Sequence, residues 1–326
     1  MHVLITGGAG FIGSHLVDLH LARGDKVHVV DNLSTGSLDN LAPHLDSPGF
    51  RFSEADIVTW PELGEAVGWA DRIYHLAAVV GVFRVLEHPI SVMATNIAGC
   101  ERLLRAVDHG GWRPQVLLAS SSEVYGPRTD PFLREDMDLI IQPEAPPRWN
   151  YAISKLADEA FALSYARFKN IPVTVVRLFN TIGPRQTGRY GMVVPRFVRQ
   201  AVDGVSLTVF GDGAQGRAFT DVRDTVVMLD ELAGCATTSG VIVNVGSDNE
   251  LSMNELARRV IDRAGSSSRI EHIPYDIAYG QEYVDIPHRC PDLTRLHELI
   301  ASRPRWTLDT TLDDLIARTR HREGSS

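Results

Sequence analysis

Short segments that are apolar at nearly every position alternate with longer segments of helical periodicity through the first half of the chain. The apolar segments predict strands at residues 3–6, 26–30, 72–75, 115–120 and 173–178, with a weaker strand at 51–54. The periodic segments predict helices at residues 11–23, 90–109 and 151–169. Strands that are apolar on both faces and separated by helices are typical of a parallel sheet. The pattern therefore predicts an α/β fold with a doubly wound parallel sheet covered by helices on both faces.

The pattern changes after Asn180. Residues 181–191 are rich in glycine and arginine and predict a loop, and residues 274–291 have no clear period and predict ordered irregular structure near a ligand. The remaining segments predict helices at 192–202, 254–264 and 293–320, the last broken at Pro304, and strands at 207–210 and 241–245. We expect a first domain of residues 1–180, to which residues 216–247 return, and a smaller C-terminal α/β domain of residues 181–215 and 248–326.

Composition and charge exclude several classes of function. The 326 residues carry a formal net charge of −9, which argues against nucleic-acid binding because that needs a concentrated basic face. No apolar run approaches the about 18–20 residues of a membrane span, and the first residues lack the pattern of a signal peptide. The three cysteines are far apart and form no metal-ligating cluster with histidines. We therefore expect a cytoplasmic protein with free thiols, no metal, and no nucleic-acid or membrane partner.

A glycine-rich turn follows the first predicted strand. Gly7, Gly10 and Gly13 lie in the run TGGAGFIG, which opens the first predicted helix. Glycines at these positions let the backbone approach a pyrophosphate at the positive end of a helix. Asp31 stands at the end of the second strand, where a carboxylate accepts a hydrogen bond from a ribose 2′-hydroxyl and repels a 2′-phosphate. The combination favours a Rossmann fold that binds NAD over the alternative of a glycine turn that binds nothing.

The second candidate feature is a tyrosine and a lysine four residues apart. Tyr151 and Lys155 share a helix face, and a neighbouring ammonium favours the phenolate form of a phenol whose ordinary pKa is about 10. The spacing alone is more typical of a surface pair. Ser121 and Glu123 follow the strand at 115–120, and functional groups collect at the carboxyl ends of parallel strands. A carboxylate there is costly unless it is used or paired, so Glu123 is expected to have a use. Tyr151, Lys155 and Ser121, together with the glycine turn and Asp31, predict a centre that oxidises an alcohol.

Five ordered motifs extend over nearly the whole chain: TGGAGFIG, SSSEVYG, YAISK, RLFNTIGPR and FGDGAQGRAFTDVRD. Together they resemble the extended short-chain dehydrogenase/reductase family that modifies nucleotide sugars. The resemblance implies a catalytic triad of Ser121, Tyr151 and Lys155, and a homodimer formed through the two long helices at 90–109 and 151–169. It implies NAD contacts at Gly7, Gly10, Phe11, Ile12, Gly13, Asp31, Asn32, Asp56, Ile57, Leu76, Ala77, Ala78, Asn96, Tyr151 and Lys155.

Three shorter stretches narrow the resemblance. The run Ser121-Ser122-Glu123 is similar to the Thr-Ser-Glu of UDP-glucuronate decarboxylases, with a serine in place of the threonine. The stretches PRWNY at 147–151 and YVDIPHR at 283–289 look like the decarboxylase half of the bifunctional enzyme that makes aminoarabinose for lipid A, and like UDP-apiose/xylose synthases. The likeness implies that Glu123 and Arg289 act near the sugar C5. The implied activity oxidises C4 of UDP-glucuronate and releases carbon dioxide from C5, giving a UDP-4-keto-pentose or UDP-xylose.

Contacts with the UDP-sugar are expected mainly from the second half of the chain. Arginine suits bidentate recognition of phosphate oxygens, while for any single arginine, Arg189 included, a solvated surface charge is an equal alternative. The expected substrate contacts are Ser122, Asn180, Arg185, Val193, Phe210, Arg217, Tyr283 and Arg289. Two rival functions remain open. One is a UDP-sugar 4-epimerase acting on UDP-glucose or UDP-glucuronate, and the other is a non-catalytic NAD-binding Rossmann protein, which predicts a damaged Ser/Tyr/Lys set where this set is intact.

Overall fold

The computed structural model describes residues 1–141, 149–188, 191–280 and 285–323. Its strands are, in chain order, β1 (His2–Thr6), β2 (Lys26–Asp31), β3 (Phe50–Glu54), β4 (Arg72–His75), β5 (Gln115–Ser121), β6 (Val173–Leu178), β7 (Asn180–Ile182), β8 (Leu207–Phe210), β9 (Gly216–Asp221), β10 (Val241–Val245), β11 (Glu250–Ser252), β12 (Ile270–Ile273) and β13 (His288–Arg289). Its α-helices are α1 (Phe11–Ala22), α2 (Leu63–Trp69), α3 (Val82–Glu87), α4 (Pro89–Gly110), α5 (Asn150–Lys169), α6 (Val193–Val202), α7 (Val222–Gly234), α8 (Met253–Ala264), α9 (Tyr275–Tyr279), α10 (Thr294–Leu299) and α11 (Leu308–Glu323).

Seven of the described strands form one sheet in the order β10-β6-β5-β4-β1-β2-β3. Every pairing in it is parallel, and its strands are mostly apolar on both faces, as the sequence pattern predicted, except for the edge strand β3. Successive strands are added towards one edge of the sheet from β1 to β3, and towards the other edge from β4 onwards. Such a switch point between β1 and β4 leaves a crevice at the carboxyl ends of the strands. The doubly wound Rossmann fold is therefore confirmed, and its crevice lies where the glycine turn and the Ser121 segment both end.

Two apolar cores cover the faces of this sheet. One contains α1, α7 and α10 and includes Leu16, Leu229 and Leu296. The other contains α2, α4 and α5 and includes Leu103 and Ala162. Burial of large aliphatic side chains on both faces, at roughly 1.5–3 kcal/mol each, supplies the main stabilisation. The long helices α4 and α5 thus lie side by side on the face from which Tyr151 and Lys155 reach the crevice.

The second half of the chain builds a smaller set of elements over the crevice. Strands β11, β9 and β13 pair in that order, β7 pairs with β9, and β8 pairs with β12. Helices α6, α8 and α11 pack against these strands around Phe197, Leu256 and Leu312. Residues of α10 lie instead in the core of the large sheet, where Arg295 donates a hydrogen bond to the Ile242 carbonyl at 2.8 Å. The division of the chain into two domains stays a prediction.

Most predicted elements lie within two residues of the observed ones, and the differences have physical reasons. Helix α7 was not predicted, because its inward face carries Asp224 and Asp230, which are buried. Asp230 pairs with Arg72 at 2.6 Å, and Asp224 accepts from the backbone N–H of Trp306 at 2.8 Å. Neither partner is visible in the local pattern. The segment at 274–291 is also more regular than expected, since it contains α9 and β13. In the described part of the chain, no helix is both long and apolar enough to cross a membrane.

Candidate active site

A cavity of about 500 Å³ occupies the crevice between the large sheet and the smaller set of elements. Every residue that the sequence predicted as a cofactor contact or as a catalytic group lies on its wall. So do Ser122, Asn180, Val193, Phe210 and Arg217 among the predicted substrate contacts. The structure thus brings together residues from the two ends of the chain in one site. Tyr283 and Arg189, with Pro147 and Arg148 of the PRWNY stretch, lie outside the described residues.

The turn between β1 and α1 fits a pyrophosphate. Gly7 has φ +74°, and a Cβ on it would lie 2.7 Å from the Ala77 nitrogen, so only glycine is accommodated. A Cβ on Gly13 would lie 2.4 Å from the Gly7 carbonyl oxygen. Helix α1 begins at Phe11 with no side-chain cap and no acidic residue in its first turn. Its positive end is therefore left for an anion from the cavity.

Asp31 lies at the end of β2 beside this turn. Its Oδ2 accepts from the Ala9 N–H at 3.0 Å, and its Oδ1 accepts from the Leu33 N–H at 2.8 Å. Burial raises the pKa of Asp31, and the two backbone donors oppose that rise. Each carboxylate oxygen keeps a second lone pair, so the oriented side chain can still accept from ribose hydroxyls. The glycine turn and this carboxylate together fit NAD.

Tyr151 and Lys155 occupy the first two turns of α5. Burial raises the pKa of Tyr151, while the charge of Lys155 and a hydrogen bond with Ser121 act in the opposite direction. The Ser121 Oγ also accepts from the Glu123 N–H at 3.3 Å and caps the short 3₁₀ turn after β5. These contacts hold a phenol, an ammonium and a hydroxyl at one point of the cavity, which is the arrangement that removal of a proton from a bound alcohol requires.

Asn96 of α4 fixes the start of α5 from behind. Its Oδ1 accepts from the Val79 N–H at 2.7 Å, and its Nδ2 donates to Ser154 Oγ at 3.1 Å. Ser154 Oγ in turn donates to the Tyr151 carbonyl at 2.8 Å. The loop after β4 and the first turn of α5 are therefore tied together through one amide side chain.

Glu123 and Arg289 form an ion pair on the cavity wall, in which Arg289 Nη1 donates to Glu123 Oε1. Their side chains are 18 % and 14 % exposed. Arg289 reaches this position from β13, which pairs with β9 at Arg217. A carboxylate and a guanidinium thus lie beside Tyr151 and Ser121, where an anionic group of a substrate could exchange for the carboxylate.

Two of the arginines predicted as substrate contacts have ionic partners within the chain. Arg217 lies on the cavity wall, but it is buried and donates to Asp285 Oδ1 and to the Ile286 carbonyl, both at 2.8 Å. Arg185 does not line the cavity. It has φ +69° and pairs with Asp18 of α1 at 2.8 Å. The structure therefore assigns Arg185 to the anchoring of the segment after β7, a role that depends on a backbone conformation the sequence motif does not reveal.

The sequence predicted Phe210 as a substrate contact but did not reveal the aromatic cluster around it on the cavity wall. The Arg196 guanidinium lies 3.9 Å above the Phe210 ring, and the Tyr279 ring meets Phe210 edge-on at 5.1 Å. Tyr279 also contacts Phe83 of α3 at 5.7 Å, so the cluster joins the two sides of the crevice. The i, i+4 spacing of Tyr275 and Tyr279 was the available signal, obscured by the neighbouring Gly and Pro residues.

By residue type His75 and His288 could act as acid/base groups, but the sequence favours packing or hydrogen-bonded spectators for both. Burial lowers the pKa of His75 to about 3, and its Nδ1 lies 2.8 Å from Thr6 Oγ1. His288 is exposed and pairs with Glu250 at 3.0 Å. A neutral, buried imidazole and an exposed one paired outside the cavity agree with the interpretation of both as spectators.

Comparison with known proteins identifies a matching family and several similar decarboxylases. The model of the NAD dependent epimerase/dehydratase family matches residues 3–246. A UDP-N-acetyl-alpha-D-glucosaminuronate decarboxylase of Bacillus cytotoxicus is 39% identical over 319 residues, covering 96% of this chain and 96% of the relative. UDP-glucuronic acid decarboxylase 4 of Arabidopsis thaliana is 36% identical over 325 residues, covering 99% of this chain and 69% of the relative.

Among solved structures, the fold resembles the UDP-glucuronic acid 4-epimerase of Bacillus cereus in complex with UDP-glucuronic acid and NAD. The TM-score is 0.87 at 26% identity, and the match covers 98% of this chain and 99% of the other. Similarity of this extent includes both the large sheet and the elements above it.

Proposed function

Because the chain belongs to the NAD dependent epimerase/dehydratase family, we propose that it is an NAD-dependent decarboxylase of a UDP-linked uronic acid, with UDP-glucuronate as substrate. The observation that carries the proposal is the Glu123–Arg289 pair beside Tyr151. Oxidation of an alcohol needs Tyr151, Lys155 and Ser121 alone. A paired carboxylate and guanidinium at the same point provide for a second step at a carbon next to the one oxidised. Full-length similarity to decarboxylases supports the same conclusion.

The first step removes hydrogen from the C4 alcohol. The Tyr151 phenolate accepts the hydroxyl proton, with Lys155 stabilising the phenolate and Ser121 donating a hydrogen bond to the reacting oxygen. Bound NAD supplies the acceptor for the hydride that leaves C4, and it would be held by the turn at Gly7–Gly13 and by Asp31. The product is a 4-keto sugar, and its C5 carboxylate is now β to a carbonyl.

The second step breaks the bond between C5 and its carboxylate. Carbon dioxide leaves, and the electron pair passes into the C4 carbonyl to give an enolate, which Ser121 and the now protonated Tyr151 stabilise by hydrogen bonds. Arg289 orients the substrate carboxylate before it leaves, since a guanidinium matches a carboxylate in two hydrogen bonds. The proton that C5 takes up comes from solvent, and Glu123 relays it: its carboxylate accepts a proton from water and passes it to C5. Return of the hydride to C4 gives UDP-xylose, and release before that gives the 4-keto pentose.

A second candidate substrate is UDP-N-acetylglucosaminuronate. The 39% identity to a decarboxylase of that name favours it. The two substrates differ only at C2, and C4 oxidation and C5 decarboxylation would proceed identically at Tyr151, Glu123 and Arg289. The choice therefore depends on residues around C2 and not on the reacting centre.

One experiment tests the function and separates the candidates. The purified protein is incubated with NAD and, separately, with UDP-glucuronate, UDP-N-acetylglucosaminuronate and UDP-glucose, and the products are weighed by mass spectrometry. A loss of about 44 mass units, which is carbon dioxide, identifies decarboxylation and its substrate, and a loss of about 46 identifies the 4-keto pentose, which has also lost two hydrogens. A change in sugar configuration at unchanged mass, seen by NMR, identifies the rival 4-epimerase. Absence of any product with all three sugars contradicts both.

We also propose that the protein is a homodimer formed through α4 and α5. These helices carry apolar side chains that the core does not fully bury, among them Ile97, which is half-buried, and Phe168, which is 72% exposed. An apolar stripe on two adjacent helices is typical of an interface. Sedimentation velocity tests this: Ile97→Arg is expected to convert a dimer to a monomer.

The free thiols of Cys100, Cys235 and Cys290 support a reducing, cytoplasmic location.

A further inference from the structure

Three residues of α5 follow one another along a single helix face. Tyr151, Lys155 and Asp158 stand at positions i, i+4 and i+7, so their side chains are stacked one above another from the cavity inwards. Lys155 Nζ lies 2.9 Å from Asp158 Oδ2, and the two side chains are only 3% and 0% exposed. The ammonium beside the proposed base is therefore itself held by a carboxylate on its inner side.

Among the described residues, Lys155 is the ion-pair partner of the Asp158 carboxylate. Its Oδ1 is buried and has no hydrogen-bond partner among the described residues, and an incompletely paired charge in the interior destabilises a fold. The adjacent Glu159 is a useful contrast. Both of its oxygens are bound, to Arg177 Nε at 3.0 Å and Nη2 at 2.8 Å, and Ser120 adds a further hydrogen bond. Glu159 is explained by packing between α5 and the sheet, whereas Asp158 has Lys155 as its ionic partner and the Cys100 thiol as a weaker, uncharged hydrogen-bond donor.

We propose that Asp158 is a positioning residue of the oxidation centre, which holds the Lys155 ammonium below Tyr151 and, by its own negative charge, limits how strongly that ammonium favours the phenolate. The proposal rests on the proposed function in one respect, namely that Tyr151 is the base. It does not depend on which sugar is oxidised.

The charges around the pair are few. From the end of β5, Glu123 faces Tyr151, and its charge is offset by Arg289 of β13. From β4, His75 lies near Lys155, and burial keeps it neutral. From α4, Cys100 lies near both Lys155 and Asp158, and burial raises its thiol pKa well above the ordinary value. Burial would lower the pKa of Lys155, but Asp158 raises it above its ordinary value. Asp158 is thus the ionic partner that decides the net charge behind Tyr151.

Removal of that charge should make Tyr151 more acidic. In Asp158→Asn the amide has nearly the shape of the carboxylate, and the Lys155 ammonium is no longer neutralised. The uncompensated positive charge stabilises the phenolate, so its titration moves to lower pH by about one unit, the size expected for a unit charge a few ångströms beyond Lys155 in a partly buried site. Asp158→Glu keeps the charge and should restore a midpoint close to that of the unaltered protein.

The test is a spectroscopic titration of the NAD-loaded protein. Phenolate absorbance is followed against pH, and the same titration of Tyr151→Phe is subtracted, which leaves the signal of Tyr151. The matched control is Glu159→Gln, which removes a buried carboxylate one position further along α5. We expect a lower midpoint in Asp158→Asn and in Asp158→Leu, which serves if the amide does not fold, and an unmoved midpoint in Glu159→Gln.

The pH dependence of kcat/KM in the same variants is a second measurement, and we expect it to shift in the same direction as the Tyr151 titration. The rising limb of kcat/KM against pH should move to lower pH with the Tyr151 midpoint. An unchanged midpoint in Asp158→Asn, a midpoint that moves to higher pH, or an equal shift in Glu159→Gln each overturns the proposal. Because the titration needs no sugar, its result can be interpreted even if the decarboxylase assay detects no product. Conversely, carbon dioxide release by a protein whose midpoint ignores Asp158 would refute this inference alone.

Discussion

Glu123 and Arg289 are 166 positions apart in the chain and meet through a side-chain ion pair on the wall of the cavity. Glu123 is delivered by the turn after β5 of the large sheet, and Arg289 by the short strand β13 above it. Both side chains are largely withdrawn from solvent, so their attraction is screened less than that of a surface pair. The pair joins the two sides of the crevice at the point proposed to receive the substrate carboxylate.

The first prediction concerns this pair. Glu123→Gln removes the group proposed to protonate C5, and general acid–base groups contribute typically about 100- to 10,000-fold. We expect carbon dioxide release to fall by about 100-fold or more, with NAD binding unchanged, as measured by product mass analysis and by cofactor titration. His288→Gln, next to Arg289 on β13 but exposed, is the control and should retain its rate. Full activity in Glu123→Gln would remove the residue from the mechanism.

The second prediction concerns Tyr151. Tyr151→Phe removes only the phenolic oxygen that accepts the C4 proton. We expect turnover to fall by at least about 1,000-fold, within the usual range for loss of a general base, while NAD still binds with similar affinity. Tyr165→Phe makes the same change on the same helix, away from the cavity, and should leave turnover intact. Substantial C4 oxidation by Tyr151→Phe, detected as NADH absorbance, would assign the base elsewhere.

The pH dependence of the unaltered protein is the third prediction. Burial raises the pKa of Tyr151, and the base works as the phenolate, so the fraction of active base increases as pH rises towards that pKa. We therefore expect kcat/KM to increase with pH from neutrality upwards and to level off above the Tyr151 pKa. A steady-state pH profile with UDP-glucuronate checks this. A rate that falls across the same range would contradict the assignment of a phenolate base.

The fourth prediction concerns the choice of cofactor. Asp31 is fixed by two backbone N–H donors, and its charge repels a 2′-phosphate. Asp31→Asn keeps the shape and removes the repulsion, so the ratio of NADP to NAD affinity should rise by about 10-fold or more, corresponding to about 1.4 kcal/mol. Fluorescence titration with each cofactor measures the ratio. Asp39→Asn, nearby but not on the cavity wall, should leave the ratio as it was.

Much of this architecture was predictable because the interactions involved are local. The strands are apolar at nearly every position. The first turn needs glycine because the backbone passes too close to its neighbours for any other residue at Gly7. What the sequence could not reveal are partnerships between distant residues. The Arg217 guanidinium was expected to face an anion of the substrate, but Asp285, 68 positions later, already binds it. Asp224 and Asp230 obscured α7 for the same reason.

Asp158 shows where local sequence pattern stops being informative and three-dimensional packing is needed. Its spacing from Tyr151 and Lys155 is visible in the run YAISKLAD, but a residue seven positions along a helix face is equally compatible with solvent. Only the packing of α4 against α5 shows that this part of the face is buried and that the carboxylate is paired with Lys155. Burial, rather than spacing, changes an ordinary helix-surface pair into an interaction at the reacting centre.

The last prediction measures that interaction as stability. Lys155→Met alone leaves Asp158 charged and unpaired in the interior, and breaking a buried pair in this way typically destabilises by about 3–5 kcal/mol. Replacing both residues, in Lys155→Met with Asp158→Leu, removes the two charges together, and such apolar replacements are often neutral or stabilising. Urea unfolding should therefore show a large loss of stability for the first variant and recovery for the second, although both lack turnover. Equal, additive losses would mean that the two side chains are not coupled, since coupling is what a double-mutant cycle detects.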